Sequence, residues 1–292
     1  MNNKKLIATL LSVGIGAHQL NTYFKNKHID GAGKYALITG ASSGLGEAFS
    51  EAFSKTFARH HFNLVLVARS EDKLNQLAHQ LKAQYEINVI VIPADLSKTE
   101  DIYHLYDKLS EKGIEIEQLV NNAGYGKSGK LVDIGTEQLI SNLKLNITSV
   151  TLLSRLFGKD MVERNSGKIL NVASLGAMTP DPYFNVYGPS RAYVMKLTET
   201  MYGELLDTNV NVSVLCPGPL DTNWAANAGK SSSAFASNPQ TVANHTFYKM
   251  QNNELVIIPT LLHKIERQFL NVVPNKMLAK IIGNWQLRLI NK

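Results

Sequence analysis

The chain has 292 residues, 44% of them hydrophobic and 18% charged, which supplies a buried core and excludes a disordered, collagenous or low-complexity protein. Its length suits one α/β domain with extensions better than two large domains. The net charge of +6 belongs to the ends, since residues 1–30 sum to +3 and residues 260–292 to +5, leaving −2 between them, a distribution that argues against a nucleic-acid partner. In chain order, two lysines precede an apolar run from Leu6 to Ala17, too short to span a bilayer but suited to a signal-like or membrane-touching segment. Strands alternating with amphipathic helices begin near Lys34. The predicted strands are Tyr35–Thr39, Asn63–Ala68, Asn88–Pro93, Gln118–Asn121, Lys168–Val172, Val210–Leu215 and Leu255–Ile258. Between them fall helices over Glu47–Arg59 and after Ser70, a candidate N-cap, with Leu74, Leu77, Ala78 and Leu81 on one face. Asn238 and Pro239 read as the N-cap and first residue of a later helix, and one or two amphipathic helices close the chain. This alternation predicts an α/β fold, a doubly wound parallel sheet with helices on both faces and ligands at the carboxyl ends of the strands.

The first strand runs directly into Thr39-Gly40-Ala41-Ser42-Ser43-Gly44-Leu45-Gly46, which opens a helix. Glycines in a strand-turn-helix context permit a tight turn and close backbone approach to a pyrophosphate, whose charge the helix N-terminus stabilises. Their spacing is G-x-x-x-G-x-G. At the end of the second strand stands Ala68-Arg69 instead of an acid. An acid there would hold a ribose 2′-hydroxyl, whereas a guanidinium suits a 2′-phosphate, so NADP(H) is the expected cofactor. The other reading of Arg69 is a surface pair with Glu71 or Asp72. A reductant of that kind argues for a cytoplasmic body.

Asp95-Leu96 follows the third strand, Asn121-Asn122-Ala123-Gly124 the fourth, Ser174 the fifth, and Pro217-Gly218 with Thr222 the sixth. Asn146 lies in the intervening helix and Tyr187 comes thirteen residues after Ser174. In this order, over residues 34 to 260, the chain resembles the short-chain dehydrogenase/reductase family. The resemblance implies a Rossmann-like fold and carbonyl–alcohol interconversion. It implies a cofactor held by Gly40, Ser42, Ser43, Gly44, Leu45, Gly46, Arg69, Asp95, Leu96, Asn122, Ala123, Gly124, Pro217, Gly218 and Thr222, together with Tyr187 and Arg191. It also implies Ser174 as holder of the substrate oxygen, Tyr187 as acid/base, and Asn146 as a member of the proton relay.

A phenol gives up its proton reluctantly near neutrality, and the family answers with a lysine four residues on. Here the run is Tyr187-Gly188-Pro189-Ser190-Arg191. Arg191 keeps the charge but is planar and bulkier than an ammonium. Two readings follow: an NADPH-dependent reductase or dehydrogenase acting through Ser174, Tyr187, Arg191 and Asn146, or a catalytically weak or inactive cofactor-binding scaffold. Gly188 weakens the helix start, and Pro189 is tolerated only in a first turn.

The remaining candidates carry less. His60 and His61 have no carboxylate or cysteine at ligand spacing, so no metal is expected. Cys216 reads as an apolar filler and excludes an internal disulfide, while Tyr125 either lines a site or packs. The small-residue stretch after Thr222, with Trp224 and Phe235, is either a lid over the substrate or an ordinary loop. Met178, Tyr183, Phe184 and Trp224 predict an apolar, lipid-like small-molecule substrate. The domain layout expected is residues 1–30 as a basic apolar segment, 31–260 as the dinucleotide-binding domain and 261–292 as a basic helical extension. The termini predict peripheral contact with an acidic membrane, against the alternative of a solvated tail, and the resemblance implies a homo-oligomer.

Overall fold

A computed structural model describes residues 29–41, 47–222, 228–229, 236–270 and 272–290. The Leu6–Ala17 run, Ser42–Gly46, Trp224 and Phe235 lie outside them. The elements named here all fall within Gly31–Lys292, the larger of the two units into which the chain divides. Seven strands form the sheet: β1 (Tyr35–Thr39), β2 (Asn63–Ala68), β3 (Val89–Pro93), β4 (Ile116–Asn121), β5 (Gly167–Val172), β6 (Val210–Leu215) and β7 (Val256–Ile257). They lie in the order β3-β2-β1-β4-β5-β6-β7 and every neighbouring pair is parallel. The helices are α1 (Glu47–Arg59), α2 (Glu71–Gln84), α3 (Thr99–Glu111), α4 (Thr136–Leu143), α5 (Ser149–Glu163), α6 (Tyr187–Glu204), α7 (Pro239–Gln251), α8 (Leu261–Leu270) and α9 (Asn275–Ile290).

The parallel arrangement explains the unbroken apolar runs. A strand covered by helices on both faces has no side for water, and β1 and β2 are buried at every position after the first. Leu37, Val65, Ile102, Leu105, Phe157 and Ile169 join β1, β2, α3, α5 and β5 in one core. Phe57, on α1, meets Phe62 and Phe247 edge-on at 5.4 and 4.9 Å, which ties α1 to α7. His60 stacks on Phe247 at 4.4 Å, and His61 takes the left-handed conformation (φ 61°) just beyond the end of α1.

Strand limits differ from the sequence pattern where pairing decides them. β4 and β5 start at Ile116 and Gly167, earlier than the apolar runs predict. β7 shrinks to two residues because only Val214–Val256 and Leu215–Ile257 pair. Asn238 caps α7, its Oδ1 accepting from the Thr241 amide at 3.0 Å, with Pro239 in the first turn. Ser70 takes the N-cap position of α2 through its carbonyl, which accepts from Leu74, rather than through its hydroxyl. The chain reverses direction across the sheet between β1 and β4, and the crevice at their carboxyl ends is where ligands of such sheets bind.

Candidate active site

Four loops converge at that crevice. Gly40, beyond β1, adopts φ +76°, and a Cβ there would lie 3.0 Å from the Ala123 Cα, so glycine permits the turns after β1 and β4 to touch. Thr39 locks the two turns together, its hydroxyl oxygen accepting from the amides of Asn122 (2.9 Å) and Ala123 (3.0 Å). The Asn122 amide group donates to Ser50 Oγ at 2.6 Å, and Ser50 donates to the Gly40 carbonyl at 2.7 Å. Arg69 is exposed at the end of β2 and makes no ion pair with Glu71 or Asp72 among the described residues. Burial works to raise the Asp95 carboxyl. The Ser97 hydroxyl and amide, with the Arg69 and Lys98 charges, outweigh it and hold Asp95 below the usual carboxylate range. Leu96 is buried beside it.

Ser174 leaves β5 as the cap of a short 3-10 turn (Leu175–Ala177), its oxygen accepting from the Gly176 amide at 3.2 Å. The Leu175 amide donates to the Pro217 carbonyl at 3.0 Å, joining the loops after β5 and β6. Tyr187 opens α6 and is buried against Phe184, ring to ring at 4.9 Å. One turn on, Arg191 is 3% exposed and its guanidinium lies 5.0 Å from the centre of the Tyr187 ring. Its Nη1 donates to the Val172 carbonyl at 2.9 Å and its Nη2 reaches Asn146 Oδ1 at 3.5 Å, while its Nε has no partner among the described residues. The buried face of α6 carries Tyr187, Arg191, Val194 and Thr198, at helical spacing. Pro189 falls in the first turn, where its missing N–H is harmless.

Asn146 sits in a π-helical turn, Lys144–Thr148, between α4 and α5. Its Oδ1 accepts from the Tyr125 amide at 3.1 Å, and its Nδ2 donates to the Tyr125 carbonyl (2.9 Å) and to Asn142 Oδ1 (2.7 Å). Tyr125 therefore enters the site through its backbone, and its hydroxyl points to the Gln138 carbonyl at 3.3 Å. Gly124 is squeezed between the partners of that network, since a Cβ there would overlap Arg191 Nη2 and stand 2.7 Å from Asn146 Oδ1. The structure thus gathers Ser174, Tyr187, Arg191 and Asn146 on the loops and helices that border the ends of β4 and β5. Thr222 lies beyond β6, its amide bonded to the Leu220 carbonyl at 2.9 Å, and Cys216 is fully buried in the strand end, where burial pushes its thiol up to about 12.

The family model for short chain dehydrogenases matches residues 34–233. The chain belongs to the short-chain dehydrogenase family. It is 33% identical over 229 residues to the ketoacyl reductase HetN of Nostoc sp., covering 77% of this chain and 78% of that one. It is 35% identical to the 17-beta-hydroxysteroid dehydrogenase type 3 of Mus musculus over 65% of this chain, a match that spans 61% of the mouse protein's length. Among solved structures, a Sphingobium yanoikuyae short-chain dehydrogenase in complex with NADPH superposes with a TM-score of 0.72 at 28% identity, over 82% of this chain and 96% of the other. A Burkholderia phymatum relative in complex with NAD superposes with a TM-score of 0.73 at 25% identity, over 82% and 93%.

Several parts of this short-chain dehydrogenase are invisible to motif reading. Asn142 partners Asn146 four residues away on one helix face, and that spacing of two buried asparagines is the signal that finds it. Asp181 and Gln286 meet at 2.6 Å across a separation of 105 residues, which no local pattern reveals. Asp181 also explains Gly188, where a Cβ would lie 2.7 Å from the Asp181 Cβ. From α8, the buried His263 ring lies so close to Gly218 that a Cβ there would overlap it. Tyr183 and Asn185 adopt φ +63° and +39°, uncommon for residues with side chains, just ahead of Tyr187. The Gly129 amide bonds to the Tyr183 carbonyl at 3.0 Å and Asn185 donates to the Lys127 carbonyl, which fix this bend.

Proposed function

We propose that the protein is an NADP(H)-dependent oxidoreductase that interconverts a carbonyl and an alcohol on a hydrophobic, lipid-like substrate. The observation that carries this reading is the convergence of Ser174, Tyr187 and the buried Arg191 cation at the end of β5. Because the Ser174 oxygen already accepts from Gly176, its proton is left to donate to a substrate oxygen. Tyr187 exchanges a proton with that oxygen as its charge changes, beside the Arg191 guanidinium. Asn146 acts by orienting Arg191, since its own amide is taken up by Tyr125, Asn142 and that guanidinium.

A nicotinamide cofactor, when bound, would supply or accept the hydride. Gly40, Asp95, Leu96, Asn122, Ala123, Gly124, Pro217, Gly218 and Thr222 would hold the dinucleotide together with Tyr187, Arg191 and the Ser42, Ser43, Gly44, Leu45 and Gly46 run. The fit is supported by the buried Nε of Arg191, which has no partner among the described residues. The phosphorylated cofactor is favoured by Arg69, an exposed guanidinium at the end of β2 that makes no ion pair with Glu71 or Asp72. The apolar substrate is favoured by Phe184 and Met178 near the site, and by the ketoacyl and hydroxysteroid activities in the relatives' names.

The test is cofactor titration followed by turnover with long-chain 3-ketoacyl thioesters and steroid ketones. NADPH should bind more tightly than NADH, Arg69→Asp should erase that preference, and Tyr187→Phe should bind NADPH yet reduce no ketone. Failure to bind either cofactor overturns the reading. Binding of NADPH without reduction of any carbonyl favours the scaffold.

A further inference from the structure

Helix α9 leaves an apolar stripe exposed. It buries Leu278, Gly283 and Gln286 and exposes Met277 (50%), Ile281 (54%) and Trp285 (47%), one stripe at four-residue spacing. That rotation is fixed by specific contacts. Gln286 donates to Asp181 at 2.6 Å, and Gly283 lets the helix approach Pro182 and Tyr183. No acidic residue occurs in α9, while the exposed Lys276, Lys280 and Arg288 border the stripe. Leu131 is also exposed, and it shares with Lys130 and Lys280 the lining of a pocket of about 350 Å³ between α9 and Tyr183. No helix among the described residues is long and apolar enough to cross a membrane.

We infer that this face of α9 docks on an anionic phospholipid surface. A stripe of Met, Ile and Trp bordered by cations satisfies both layers of such an interface, the side chains entering the acyl boundary and the ammonium and guanidinium groups meeting lipid phosphates. A second copy of the chain is a poorer occupant, because it would press one cationic border against another, in a tail that carries +5 over residues 260–292. The inference stands independently of the catalytic reading. Its consequence for that reading is that the pocket beside Tyr183, four residues before Tyr187, would open toward the bilayer.

The test uses the full chain with vesicles of phosphatidylcholine alone or with about 30% phosphatidylglycerol, followed by sedimentation and tryptophan emission. The wild type should sediment with the anionic vesicles only, release as salt rises, and show a blue shift that Trp285→Phe removes and that Trp224 does not replace. Met277→Ser, Ile281→Ser and Trp285→Ser together should lower partitioning by about tenfold or more with the N-terminal segment intact. Lys276→Glu with Lys280→Glu, which disturbs no packing, should lower it similarly and decides the matter if the triple variant unfolds. Unchanged partitioning of these variants, binding to neutral vesicles as strongly as to anionic ones, or no vesicle binding at all overturns the inference. So does a wild-type dimer that the triple substitution dissociates, because a second copy would then cover the face.

Discussion

Gly124→Ala tests the geometry around Arg191 most directly. The new methyl would overlap Nη2, stand 2.7 Å from Asn146 Oδ1 and 3.0 Å from the guanidinium carbon, so the guanidinium must retreat. Retreat breaks the 2.9 Å bond to the Val172 carbonyl inside a region where Arg191 is 3% exposed. Overpacking a core costs about 1–3 kcal/mol and losing a hydrogen bond from a charged donor costs roughly 1.5–3, so partial relaxation leaves an expected loss of about 2–4 kcal/mol. Urea unfolding of the wild type and variant should show a lower midpoint with an unchanged slope. The same displacement draws the cation off the Tyr187 ring, so turnover of any accepted ketone should fall beyond what stability explains. The decisive comparison is a cycle with Arg191→Met, which keeps the stem and removes the fork. In that background Gly124→Ala should cost less by about 1–3 kcal/mol. An equal cost in both backgrounds would mean that the methyl clashes with something else and that Arg191 is not held as described.

Two further outcomes follow from ionisation. Asp95 is held below its ordinary value of 3.8 when folded, so its contribution to stability is full above that value and is lost as pH falls through the lower folded value. Stability–pH curves of the wild type and Asp95→Asn should therefore separate above pH 4 and converge on acidification, and parallel curves would refute it. Cys216, with its thiol pushed up to about 12 by burial, should resist alkylation by iodoacetamide at pH 8 in the folded protein and react at once in urea. Rapid labelling of the folded protein would show the strand end to be open.

The sheet was legible because each strand is an apolar run between turn signals, and parallel strands leave no polar face to blur the pattern. The ends were not, because Ile116 and Gly167 join their strands only through neighbours in the sheet. Ser174, Tyr187, Arg191 and Asn146 were named through the family resemblance, which says nothing of the contacts that support them. Asp181 is tied to Gln286 on α9, far away in the chain, and the four-residue spacing of Asn142 and Asn146 gains meaning only once both are known to be buried. Gly188 illustrates the difference. On helix propensity it is a weak start, and in the fold it is the residue that lets α6 pass Asp181.

The π-turn at Lys144–Thr148 makes chain length itself a constraint on this helix. Removing a residue of it between Asn142 and Asn146 would let the ladder close as ordinary α-helix with the flanking turns nearly in phase, but would cut the spacing of the two asparagines from four residues to three. Asn142 and Asn146 would then no longer share the Tyr125 backbone between them. A gap placed here in any alignment is therefore as consequential as a substitution at Tyr187, even though no side chain changes identity.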